Sequence, residues 1–163
     1  MDTDQAAGLT YQGRLAIAQQ EWSTARDAFT AAVKILPTEG RLLALLAQSE
    51  VQLGDYANAE RHYVEAWEIQ PNSVLIAQSY AALLVRLGKS PLATKVLQTA
   101  SRFAPNNVAL REAWLDQALE NDELSEVLQV RLSRYASNPA DIRNVIELAL
   151  FLGLAEPLSL IHI

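Results

Sequence analysis

The chain has 163 residues, with 13 Lys+Arg against 19 Asp+Glu and a net charge of −6. That balance argues against nucleic acid as a partner, because a phosphate backbone requires clustered Lys and Arg. With no Cys and two His, the chain has no disulfide framework, no thiolate metal site and no Cys nucleophile, and too little for a His cage. Ala and Leu occur 26 times each, Gly and Pro six times each. The mix favours helix, because Ala and Leu lose least conformational freedom there. No run of 18 apolar residues occurs, and the start, Met1-Asp2-Thr3-Asp4-Gln5, is acidic. The expectation is no membrane span, no signal peptide and a cytoplasmic location.

Five lead-in residues precede a repeat. Pro37, Pro71, Pro105 and Pro139 stand 34 residues apart. So do Ala25, Ala59 and Ala93, then Ala32, Ala66 and Ala100, then Phe29, Tyr63 and Leu97. A fixed period of this length predicts supersecondary units stacked in series. The first unit is 6–39 and the second 40–73. From Arg41 to Leu53, Leu42, Leu43, Leu45, Leu46, Val51 and Leu53 recur in helical rather than alternating rhythm. Gly54-Asp55 ends that helix, since glycine takes a left-handed conformation at a helix C-terminus. A second helix is predicted from Tyr56 to Ile69, and Pro71 stops it. The third unit, 74–107, places Gly88-Lys89-Ser90 where the second has Gly54-Asp55-Tyr56. Short loops force the two helices of each unit to run antiparallel.

This 34-residue pattern resembles the tetratricopeptide repeat (TPR). The family places small residues at positions 8, 20 and 27 of each repeat, where paired helices approach closely. Here those positions hold Gly13, Ala25 and Ala32, then Ala47, Ala59 and Ala66, then Ala81, Ala93 and Ala100. It places a large residue at position 24, matched by Phe29, Tyr63 and Leu97. A large knob needs an Ala-sized gap in its neighbour. The resemblance implies an all-α fold, a right-handed α-α superhelix of four 34-residue repeats plus a fifth partial repeat, over residues 1–157.

The fourth repeat, 108–141, departs. Its small positions hold Leu115, Val127 and Arg134, and position 24 holds Arg131. Helices are predicted over 107–120 and 123–136, with Arg131 and Arg134 rotating or opening the second. The fifth partial repeat, 142–157, predicts one helix over 141–152, apolar on nearly every side, where a solenoid cap should present a polar face. The final six residues, LSLIHI, can be encoded by CTG TCT CTT ATA CAC ATC, which resembles a transposon end sequence used to tag DNA fragments. The match predicts a non-native tail at 158–163 and a natural chain continuing past Pro157.

No catalytic residue, metal site or cofactor is predicted: the chain has no phosphate loop and no nucleophile elbow. His62 reads as a partly exposed structural residue, and Asp122 and Glu123 as acids at the positive end of a helix. Trp22, Trp67 and Trp114 read as core, and Tyr56 as packing. The resemblance implies a concave groove lined by the first helix of each repeat. The groove residues singled out are Tyr11, Arg14, Arg41, Gln48, Gln52, Gln78 and Arg86. Its fourth-repeat end is acidic, with Glu112, Asp116 and Glu120. The predicted function is a non-enzymatic scaffold binding a peptide or protein segment. The alternatives are the scaffold part of a larger enzyme or envelope-assembly protein, and a homo-oligomer formed through residues 142–154. TPR domains that grip chaperone C-terminal carboxylates use Lys, Asn and Arg where this chain has Thr10, Arg14, Leu45, Leu75 and Ser79. Only Arg14 could serve, which sets that role aside.

Overall fold

The period of 34 is met by a fixed set of lengths. The computed structural model describes residues 2–121 and 123–153, and every regular element among them is helical. The helices are α1 (Asp2–Ala18), α2 (Trp22–Ile35), α3 (Gly40–Gln52), α4 (Tyr56–Ile69), α5 (Val74–Arg86), α6 (Ser90–Phe103), α7 (Val108–Glu120), α8 (Leu124–Ser137) and α9 (Ile142–Phe151). The first helices α3, α5 and α7 have 13 residues each, and the second helices α2, α4, α6 and α8 have 14. α1 has 17, because the lead-in residues continue it as an extra N-terminal turn. None of these helices is long and apolar enough to cross a membrane. The expected tail at 158–163 lies outside the described residues, as do Asp122 and His162.

The helices form two compact units, Met1–Trp114 and Leu115–Ile163, with the boundary inside α7. In the first unit α1 packs on α2, α3 on α4 and α5 on α6. The hairpins stack through α2 against α3 and α4 against α5, and α3 also meets α5. The contacts are made by the periodic small and large residues. All three Ala of the second repeat's small positions, and Ala25, Ala32 and Ala93, are completely buried, as is Phe29. Gly13 shows why size matters: a Cβ there would lie 2.6 Å from the Phe29 ring. Phe29 in turn packs with Ala16, Ala25 and Leu46. Its burial contributes about 2–3 kcal/mol.

Two backbone features also keep the period. Gln20, Gly54 and Gly88 all have positive φ, at 60°, 78° and 72°. Each turns a first helix into a second. Glycine adopts this conformation freely, whereas Gln20 does so against a steric cost. Before the first helices, Ser73, Asn107 and Asp141 cap with their side chains, accepting the backbone N–H of Ile76, Leu110 and Arg143 at 3.5, 2.9 and 3.0 Å. These bonds satisfy donors that a helix start leaves unpaired. Glu39 occupies the same phase and makes no such bond.

The second unit is held differently. Leu115 and Val127 are fully buried in the register where the earlier repeats have Gly or Ala. α8 keeps its 14 residues and packs on α9. Arg131 and Arg134, expected to open α8, both donate Nη1 to Glu147 Oε2 on α9 at 3.0 Å. Arg143 donates Nε to Glu147 Oε1, also at 3.0 Å. The Arg131 guanidinium further lies 5.9 Å from the Phe151 ring centroid. A carboxylate on the next helix thus accepts the charges that the repeat pattern excludes. Of the tryptophans expected in the core, Trp114 is buried, while Trp22 and Trp67 are only half-buried.

Candidate functional site

The site follows from the alignment of α1, α3 and α5. Each has one side committed to the core, so residues a half-turn away are left on a shared outer face. Tyr11, Arg14, Arg41, Gln48, Gln52, Gln78 and Arg86 are all exposed. They sort into three recesses. Tyr11, Arg14 and Arg41 line a pocket of about 390 Å³ between α1 and α3, together with Ala6, Ala7, Leu36, Leu42 and Leu45. Arg41 also lines a second recess of about 450 Å³ with Gln70, Asn72, Ser73 and Leu75. Gln48, Gln52 and Arg86 line a third of about 210 Å³ with Tyr63 and Ser79. Gln78 lines none of the three.

Electrostatics distinguish the arginines. Neither Arg14 nor Arg41 makes a side-chain hydrogen bond or ion pair among the described residues, so their ten guanidinium donor sites face water. Arg86 is braced by Tyr56, whose ring centroid is 5.3 Å from Cζ. Tyr56 therefore touches Arg86, one of the residues expected in the groove, as well as packing. Glu39 lines both the first and second recesses. Sequence reasoning passed over it, although a signal was present: it stands where other repeats carry a capping Ser, Asn or Asp. Of the acids expected at the far end, Glu112 lies 4.0 Å from Arg111, and Glu120 accepts from Gln117 Nε2 at 2.9 Å.

Between α3 and α4 lies a polar pair that the sequence did not reveal. Glu50, buried on α3, places Oε2 2.7 Å from Nδ1 of His62 on α4. The His62 side chain is 12% exposed and that of Glu50 6%. The residues are twelve apart in sequence and meet only because the hairpin closes. The neighbouring Tyr63 stacks on Tyr80, with ring centroids 6.0 Å apart. Burial pushes the Tyr63 phenol up to about 12, against a smaller opposing effect of its hydrogen bond with Ser79. At the start of α4, hydrogen bonds from the Asn58 side chain and backbone hold Asp55 below the usual carboxylate range.

Serial antiparallel hairpins, joined through small-residue contacts and sharing one outer face, define a helical-repeat protein. Comparison with known proteins specifies the repeat. A tetratricopeptide repeat family model matches residues 50–115. The BBSome complex member BBS4 of Mus musculus is 36% identical over 83 residues, 50% of this chain and 16% of that protein. The match thus spans about one sixth of that relative's length. Among solved structures, the first TPR of Spaghetti (RPAP3) bound to the HSP90 peptide SRMEEVD has a TM-score of 0.67 at 20% identity, covering 75% of this chain and 99% of that one. The TPR2B domain of yeast Sti1, in a complex with pHsp70, gives 0.65 at 20% identity over 72% of this chain and 98% of its own. MamA gives 0.69 at 14% identity over 93% and 85%. Residues 50–115 of the chain are tetratricopeptide repeats by that match, and the chain has the TPR solenoid fold.

Proposed function

We propose that this protein is a non-enzymatic interaction scaffold that holds an extended segment of a protein partner along α1, α3 and α5. The observation that supports this most directly is the series of exposed arginines on three successive first helices, Arg14, Arg41 and Arg86. Gln48, Gln52 and Gln78 lie between them, and an amide side chain can both donate to and accept from an extended main chain. The exposed Tyr11, Leu75 and Val85 add apolar area to the same helices. A TPR fold holding an HSP90 peptide provides a precedent for this use of the fold. Where chaperone-gripping TPR domains are expected to carry Lys, Asn and Arg, this chain has Thr10, Leu45, Leu75 and Ser79, with only Arg14 basic, so the grip here would be made by other residues.

The test is selection of a displayed library of random dodecapeptides on the full chain. The expected result is an enriched set whose binding is abolished by Arg41→Glu with Arg86→Glu. Peptides that still bind this double variant would move the site off the face. A second reading is homo-oligomerisation through α9, favoured by the exposure of Ile142 (73%) and Leu150 (55%). Sedimentation of the chain and of its Ile142→Glu, Leu150→Glu variant separates it: this reading expects an oligomer that the variant dissociates.

A further inference from the structure

We infer that the pocket between α1 and α3 is an anchor for one apolar side chain of an acidic partner segment, with the segment's adjacent carboxylate held by Arg14 and Arg41. The inference rests on the reading of the α1/α3/α5 face as the binding surface, and it specifies what that surface recognises. The pocket joins two chemistries that no single simple ligand satisfies. Its apolar lining is made by Ala6, Ala7, Leu42 and Leu45 with the ring of Tyr11 beside them, and its volume is about 390 Å³. Its mouth carries Arg14, Arg41 and Glu39. An apolar molecule alone would leave both guanidinium groups unmatched. A wholly acidic segment would leave the apolar lining wet.

Charge selects the carboxylate. Two guanidinium groups against one carboxylate leave the mouth net positive, although the chain as a whole carries −6. A planar guanidinium holds a carboxylate by two parallel hydrogen bonds, and with no partner among the described residues neither Arg has a bond there to break first. Glu39 opposes that carboxylate. It sits at the phase where Ser73, Asn107 and Asp141 cap their helices, yet makes no capping bond. Its charge is therefore left facing the two recesses it lines. The occupant is a polypeptide segment because Glu39 and Arg41 are shared with the adjoining recess of about 450 Å³. A ligand seated at the anchor has somewhere to continue.

Opposite signs test the inference. Peptides enriched from the dodecapeptide library should share an apolar residue adjacent to Asp or Glu. Against a labelled peptide with a Leu-Glu pair, Arg14→Gln with Arg41→Gln should weaken binding by about tenfold or more, and Glu39→Gln should tighten it by about threefold. Ala7→Phe, which fills the pocket from an exposed position, should weaken it by about tenfold, and replacing the peptide's Leu with Ala should do the same. All four positions are exposed, so thermal melts should match the parent. Enriched peptides lacking the pair, or Glu39→Gln and Arg41→Gln acting in the same direction, would overturn the inference. Peptides that lose binding with Arg41→Glu and Arg86→Glu but ignore Ala7→Phe would overturn it while leaving the scaffold reading intact. A library with no enrichment would remove both.

Discussion

The two compact units carry the same proline punctuation and hold their helices together by different physics. In Met1–Trp114 the interior positions are Gly and Ala facing one large residue, so shape decides the contact. In Leu115–Ile163 two of the corresponding positions are arginines, and a carboxylate decides it. A repeat length therefore specifies where helices start and stop. It does not specify what bonds them. The comparison can be broken or sharpened by substitutions on either side.

The largest expected effect is in the shape-held unit. Phe29→Ala removes a fully buried ring from beside Gly13, and urea unfolding should show a loss of about 3–5 kcal/mol. Glu147→Ala is the counterpart in the charge-held unit. It leaves Arg131 and Arg134, whose side chains are 12% and 20% exposed, without that acceptor, and should cost about 2 kcal/mol. Replacing Arg131, Arg134 and Glu147 together by Leu should recover most of that loss, because a buried ionic cluster is often no better than packed hydrocarbon. If the triple variant is as unstable as Glu147→Ala alone, the cluster does more than balance charge.

A pH titration adds a third contrast. The Tyr63 phenol has its folded value raised from 10.0 to about 12 by burial. A raised acid contributes stability that is complete below the unfolded value and is lost as pH climbs through the folded one. Between pH 10 and 12 the first unit should lose about 2 kcal/mol, followed by circular dichroism, and Tyr63→Phe should abolish that part of the slope. The smallest expected effect is a gain. Gln20→Gly relieves a left-handed residue with φ of 60°. Since glycine also costs unfolded-chain entropy, the net should be about 0.5 kcal/mol in favour of the variant. Gly54→Gln should lose about 1 kcal/mol at the equivalent turn.

These residues also mark how far the sequence could be read. The helix Tyr56–Ile69 and the buried rows of Ala25, Ala59 and Ala93 follow from periodicity, because a short-range rule governs each. The pairing of Glu50 with His62 does not, since it depends on the angle at which a hairpin closes. The acceptance of Arg131 by Glu147 crosses from one repeat into the next, where no periodic signal existed. Trp22 and Trp67 fall near packing positions of the repeat and are only half-buried, because nearness to a packing position does not fix how much of a large ring the neighbouring helix covers. At the groove, exposure of all seven residues could be anticipated from their positions in the repeat. The division into recesses and the bracing of Arg86 by Tyr56 depend on how the hairpins pack, whereas Glu39 was marked in the sequence only by its capping phase.

The constant helix lengths have a consequence for how such a chain can change. One inserted residue turns everything after it in a helix by about 100°, taking Ala59 or Ala93 out of its contact and bringing the larger Asn58 or Leu92 to that place. Thirty-four inserted residues turn nothing, because they supply a whole first helix, turn, second helix and link in the same order. Length in the first unit is therefore quantised. Gene duplication or loss can add or remove exposed first-helix surface in whole steps while the surviving repeats keep their internal contacts.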